Sequence, residues 1–162
     1  MIKIFLGEDY AAASAKAAEV IRDVVKAKAD AVLGLATGSS PVGMYRDLAE
    51  MNRRGEISFA KCKSVNLDEY VGLAPEHDQS YAYFMAKNFF DNIDIDKKNT
   101  NLPSGLAADL AAECRRYDGV IASMGGVDIQ VLGIGNNGHI GFNEPADSFS
   151  KGTGIVDLTA ST

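Results

Sequence analysis

The chain has no tryptophan, two cysteines, two histidines and four prolines in 162 residues. Cys62 and Cys114 carry no metal or redox spacing, which excludes a disulfide scaffold and a CxxC-type centre. They read as free thiols in a reducing cytoplasm. No apolar run reaches the roughly 18 residues of a membrane span. The N-terminal stretch turns acidic at Glu8 and Asp9, too early for a secretory leader. No block of Lys or Arg is present, and the net charge is −6. Such a field repels nucleic acid and anionic membrane surfaces. It leaves room for a small phosphorylated ligand, because a local cradle of backbone N–H groups can hold one.

What is present suits one α/β domain. Hydrophobic residues make up 46% and charged residues 23%, ordinary values for a globular chain with a sizeable core. Ile2 to Leu6 reads as a first short strand. Apolar positions from Asp9 to Lys28 recur at helical spacing, with Asp9 or Ser14 as cap. Ala31 to Leu35 reads as a second strand, and a helix follows Thr37-Gly-Ser-Ser-Pro41, with Ser40 as N-cap and Pro41 at its first position. Ser64 to Asn66 reads as a third strand. Helices are expected from about Ser80 to Phe90 and from Leu106 to Met124, with a plain connection over Asn99 to Gly105. Ile129 to Leu132 reads as a buried strand, and Ile155 to Leu158 as the start of another. This alternation predicts an open, mostly parallel sheet with helices on both faces, a Rossmann-like three-layer α/β/α fold.

Three segments carry chemistry. Thr37, Gly38, Ser39 and Ser40 join a strand end to a helix N-terminus, the arrangement that binds anions, although the Gly-Lys-Ser/Thr ending of a P-loop is missing. Asn66-Leu-Asp-Glu-Tyr70 places a carboxylate, Asp68, at the end of a strand, where it can act as a general base. Strand alternation puts Asn66 and Asp68 on one side and Leu67 on the other. The bland reading is a solvated acidic turn.

Gly133-Ile-Gly-Asn-Asn-Gly138 formally matches the dinucleotide fingerprint. That motif needs a helix opening at its third glycine, and Gly141, Pro145, Gly152 and Gly154 forbid a long one. The segment is better read as a catalytic loop. His139 can move a proton near neutral pH, and Glu144 can orient it. A histidine simply bonded in a glycine-rich turn is the structural alternative. A metal site from His139, Glu144 and Asp147 has no spacing pattern behind it. His77 reads as an exposed loop residue. Tyr81, Tyr83, Phe84, Phe89 and Phe90 read as helix packing, with Tyr81 or Ser80 able to line a pocket.

Together, Leu33 to Pro41, Val65 to Leu73, Gln79 to Met85 and Gly133 to Pro145 resemble the glucosamine-6-phosphate deaminase (isomerase) family. They occur in family order across essentially the whole chain. The related 6-phosphogluconolactonases share the fold, but their loop histidine is followed by an Ala-Ser-Leu-Phe-Pro type of sequence. Here Ile140-Gly-Phe-Asn-Glu-Pro145 follows. The resemblance implies conversion of glucosamine 6-phosphate and water to fructose 6-phosphate and ammonia, with no metal or redox cofactor. It implies that His139 opens the sugar ring, that Glu144 pairs with it, and that Asp68 carries the proton between C2 and C1. Asn137 stands beside them, where many members carry Asp. Thr37 to Ser40 would hold the phosphate. The partner expected is a small sugar phosphate, in a monomer or a homo-oligomer. Galactosamine 6-phosphate deamination, lactone hydrolysis and non-catalytic sugar-phosphate sensing are the alternatives. Relative to the family, residues 1–162 read as one domain cut short at its C-terminal side.

Overall fold

A computed structural model describes residues 2–148 and 151–158. Four helices and four strands alternate: α1 (Tyr10–Ala27), β1 (Val32–Leu35), α2 (Val42–Arg53), β2 (Lys63–Asn66), α3 (Tyr81–Asn88), β3 (Thr100–Asn101), α4 (Leu110–Ser123) and β4 (Ile129–Gln130). All strand pairs are parallel, in the order β3-β2-β1-β4. The chain moves across the sheet from β1 to β3, then returns past β1 to β4. Right-handed crossovers in opposite directions put α4 on the face opposite α2 and α3. The three-layer expectation is therefore met.

The main core lies on the α1–α2–α3 face. Leu33 and Leu35 of β1 point into it, against Ile21, Met44, Leu48 and Met85. Tyr45 stacks on Phe89 at 4.7 Å, and Phe59 meets the same ring edge-on at 5.5 Å. Val32 and Val65 are buried but lie outside that cluster, as strand alternation requires. On the α4 side, Tyr117 is the buried anchor. Its hydroxyl accepts from the Asn66 N–H at 3.0 Å and shares its proton between the Asn66 and Asn101 carbonyls, at 2.7 and 3.1 Å. It sits where β2 and β3 stop pairing, at the end of the strand that leads to Asp68.

Caps account for several helix boundaries. The Asp9 carboxylate accepts from Ala12 N–H and starts α1, while Ser14 lies inside the helix and is buried. Asp109 caps α4, so that helix begins four residues later than expected. Ser80 caps α3. The expectation for α2 is corrected. Its cap position is Pro41, which offers no side-chain acceptor, and Ser40 lies outside the helix.

Three strand expectations also change. Residues 2–6 pair with no strand among the described residues, and Ile2, Ile4 and Leu6 are each more than 80% exposed. The stretch from Ile129 is an edge rather than a buried strand: Ile129 is half-buried, and Gln130 and Leu132 are exposed. Among the described residues β4 pairs with β1 alone, so burial ends with the ladder, whose last bond runs from Val131 N–H to the Gly34 carbonyl at 2.8 Å. Ile155 to Leu158 forms no strand. β3 was hidden in the expected connection, because two polar residues carry no apolar pattern. Among the described residues, no helix is long and apolar enough to cross a membrane.

Candidate active site

The carboxyl ends of β1, β2 and β4 open onto one cavity of about 630 Å³, at the rim where open α/β sheets take ligands. Thr37 to Ser40, Asp68, and Gly135 with His139 all line it. Three segments far apart in sequence therefore meet. Asn137 and Glu144 stand one layer behind His139 and do not line the cavity.

The loop after β1 turns at Gly38, whose φ of 90° is a conformation that side chains other than glycine rarely adopt. Among the described residues, no backbone amide from Thr37 to Ser40 donates a hydrogen bond to the protein. These amides, with the hydroxyls of Ser39 and Ser40, are free for an anion, while the Thr37 hydroxyl already bonds the Tyr81 phenol. The first turn of α2 is not equally open. Tyr10, from the start of α1, accepts from Gly43 N–H at 2.8 Å. The same hydroxyl donates toward the carbonyls of Ser40 and Ser39 at 3.0 and 3.1 Å. It does the capping that Ser40 was expected to do. Nothing in the spacing of Tyr10 announced this, since its partners lie about 30 residues away.

β2 ends at Asn66, and the alternation expected beyond it does not hold. Asn66 is buried with its side-chain amide on the Leu35 carbonyl, while Leu67 and Asp68 both reach the cavity. Burial, and secondarily the neighbouring Glu69 carboxylate, push the Asp68 carboxyl up to about 6. No cation or donor compensates it among the described residues. A carboxylate held near neutrality at a cavity wall has the properties of a general base. Glu69 faces elsewhere. Its carboxylate accepts from the N–H groups of Tyr70, Tyr81 and Ala82, each at 2.9 Å. The acidic turn is thus divided: Glu69 is fully engaged with backbone and Asp68 faces the cavity.

Tyr70, Tyr81 and Phe142 form a ring cluster with centroids 4.8 to 5.7 Å apart. It ties the Asp68 segment, the start of α3 and the His139 loop together. Tyr81 lines the cavity, and burial, reinforced by Tyr70, holds its phenol above the ordinary range, with Thr37 acting in the opposite sense. Tyr81 therefore joins the site, while Phe89 and Phe90 are core. Phe142 and Tyr70 were missed by sequence reasoning, because an aromatic near a glycine-rich loop gives no local sign of which cluster it enters.

The His139 loop is closed on itself. Gly135 N–H bonds to the His139 carbonyl at 2.8 Å, and Ile140 and Asn143 exchange both backbone bonds at 3.1 Å. The Asn137 side chain accepts from the His139 N–H at 3.1 Å and donates to Glu144 at 2.6 Å. Asn137 thus links Glu144 to His139 through the histidine backbone. The imidazole Nδ1 is buried and has no protein partner. His77 is exposed, with Nδ1 accepting from Gln79 N–H, as the sequence suggested. Cys62 is buried, its thiol pushed up to about 11 mainly by burial, and Cys114 is half-buried and unpaired. Among the described residues, no three His, Cys, Asp or Glu side chains cluster to hold a metal ion.

Residues 8–142 match the family described as glucosamine-6-phosphate isomerases/6-phosphogluconolactonase. The chain is 52% identical over 161 residues to a glucosamine-6-phosphate deaminase of Thermoanaerobacter sp. (strain X514), covering 99% of this chain and 64% of that protein. It is 53% identical to the deaminase of Lachnoclostridium phytofermentans, covering 68% of it. The solved structure of a monomeric glucosamine-6-phosphate deaminase superposes with a TM-score of 0.95 at 46% identity, over 99% of this chain and 66% of that one. A 6-phosphogluconolactonase from Thermotoga maritima shares the fold, with a TM-score of 0.70 at 20% identity, over 85% of this chain and 62% of that one. The chain spans about two thirds of the length of these relatives. On the match over residues 8–142 and on these identities, the chain belongs to the glucosamine-6-phosphate isomerase/6-phosphogluconolactonase family.

Proposed function

We propose that this chain carries the proton-transfer and phosphate-holding part of a glucosamine-6-phosphate deaminase site. The reaction is conversion of glucosamine 6-phosphate and water to fructose 6-phosphate and ammonia. The observation that carries the reading is the shared cavity of Asp68, His139 and the free amides of Thr37 to Ser40. Relatives about 50% identical over nearly the whole chain bear that enzyme's name.

The chemistry divides among the walls. The sugar phosphate lies on the amides of Gly38, Ser39 and Ser40 and the hydroxyls of Ser39 and Ser40, which fixes the sugar at one end. The His139 imidazole takes the proton of the anomeric hydroxyl and returns it to the ring oxygen as the C1–ring-oxygen bond breaks, which opens the ring. Asp68 removes the C2 proton and delivers it to C1, so a single base must reach two adjacent carbons. A carboxyl at about 6 is ionised at neutral pH yet basic enough to hold the proton between the two steps. Asn137 and Glu144 brace the histidine from behind. The two unpaired thiols fit a reducing compartment, the cytoplasm.

Ammonia release from glucosamine 6-phosphate, followed on the wild-type chain and on Asp68→Asn, tests the reading. Release by wild type, slow because the chain spans about two thirds of its relatives' length, and its loss in the variant is the expected result. No release from the wild-type chain, or equal release from both, would overturn it. Galactosamine 6-phosphate in the same assay separates the epimers, and 6-phosphogluconolactone separates the lactonase reading.

A further inference from the structure

The Glu69 carboxylate does not face the cavity, yet it holds three backbone amides from two parts of the chain. One is Tyr70 N–H on its own segment; the others are Tyr81 N–H and Ala82 N–H, the first two residues of α3. Ser80 takes the third amide, Tyr83 N–H, at 3.0 Å. An eight-residue helix has few internal bonds, so its orphan N-terminal donors weigh heavily in where it sits. A carboxylate at a helix N-terminus is also favoured by the peptide dipoles. Of these three helix amides, one is thus capped from the helix's own N-cap and two by the residue next to Asp68.

We infer that Glu69 is a positioning residue for the reaction proposed above: by clamping the start of α3 to the Asp68 segment, it sets Asp68 and Tyr81 at fixed places on one cavity wall. Rigid attachment is what this wall needs. The residues from Leu67 onward have left the sheet, and β2 no longer supports them. Without the clamp, the link between the Asp68 segment and the start of α3 rests on the ring cluster of Tyr70, Tyr81 and Phe142, in which the two tyrosine rings lie 4.8 Å apart at 49° with their hydroxyls 3.3 Å apart. Ring contacts tolerate sliding, whereas three directional bonds to one carboxylate do not. The inference rests on the deaminase reading for its kinetic arm and on the geometry alone for its other arm.

Two substitutions separate reach from charge. Glu69→Asp keeps the charge and shortens the side chain by one methylene, so it cannot span to Tyr81 and Ala82. Glu69→Gln keeps the reach and removes the charge, losing only the bond that its amide NH2 cannot accept. The clamp predicts that Glu69→Asp lowers kcat by roughly 10- to 100-fold with little change in KM, as misplacement of a catalytic group does. Glu69→Gln lowers it by roughly two- to tenfold. Amide hydrogen exchange at Tyr81 and Ala82 should accelerate in Glu69→Asp, while exchange in β1 stays at the wild-type rate and shows that the fold persists. Wild-type turnover and wild-type exchange at both amides in Glu69→Asp would overturn the assignment of Glu69. Absence of ammonia release from the wild-type chain would overturn the deaminase reading instead, whatever the exchange shows. Faster turnover in Glu69→Asp than in Glu69→Gln would mean that charge, not reach, is what Glu69 supplies, and would also overturn the inference.

Discussion

The imidazole of His139 lies so close over Gly135 that a Cβ built there would sit 2.3 Å from the ring Cε1 and 2.5 Å from Nε2. The ring and the glycine belong to one loop, closed by the bond from Gly135 N–H to the His139 carbonyl. Gly135 is therefore a fixed floor under the ring, and its lack of a side chain sets where the imidazole stands. Gly135→Ala must displace the ring. Ammonia release should fall by roughly 10- to 100-fold, the usual cost of moving a reacting group by about an ångström. Circular dichroism should be unchanged, since the loop adds little to the core. Wild-type turnover in the alanine variant would show that the ring's place over Gly135 is irrelevant.

As the base of the proposed reaction, Asp68 gives the site its pH dependence. A base must be ionised to accept a proton, so activity should fall as pH drops through about 6. Stability runs the other way. The folded-state carboxyl is raised above its ordinary 3.8, so its contribution to stability is fully present below pH 3.8 and is lost as pH rises through about 6. Ionised Asp68 therefore destabilises the chain at neutral pH. Asp68→Asn should be more stable than wild type at pH 7, on the order of 1 to 3 kcal/mol, and no more stable at pH 3. Urea melts at the two pH values measure it, and an equal difference at both would refute the assignment.

Tyr10 shapes the anion loop from outside it. Tyr10→Phe leaves Gly43 N–H without its acceptor and frees the carbonyls of Ser39 and Ser40. Affinity for glucosamine 6-phosphate should weaken by roughly fivefold, the worth of about one neutral hydrogen bond, while affinity for unphosphorylated glucosamine stays unchanged. Calorimetric titration with the two sugars reads the difference. Tighter phosphate binding in the variant would mean that Gly43 N–H serves the ligand better than it serves Tyr10.

Tyr117 holds the end of β2 from the α4 side. Its phenol lies well above the ordinary range, chiefly through burial, so it acts only as a neutral donor and acceptor. Tyr117→Phe orphans the buried Asn66 N–H and removes both hydrogen bonds that join α4 to β2 among the described residues. A loss of about 1 to 3 kcal/mol in chemical unfolding is expected. A change under a few tenths would show that water replaces the hydroxyl at no cost.

Much of this protein was legible in one dimension. Helical periodicity located α1 and α2, because a 3.6-residue repeat of Ile21, Val25 and Leu48-type positions has no other use in a globular chain. The Asp9 cap acts on an amide three residues away, so it too is local. The alternation of strand and helix implied parallel pairing, and parallel strands place their carboxyl ends, with Thr37, Asp68 and His139, on one rim. Other features belong to neighbours in space. Whether the run from Ile129 is buried depends on a strand beside it, and among the described residues one edge of β4 has none. Whether Ser40 or Tyr10 caps α2 depends on how closely α1 crosses it. Which of Asp68 and Glu69 stands free depends on where α3 points its amides, and α3 begins more than ten residues beyond them. Sequence sets preferences that act over a turn of helix or a pair of strand residues; the roles of two adjacent carboxylates were decided by packing, because desolvation and hydrogen bonding are properties of what surrounds a group in the folded chain.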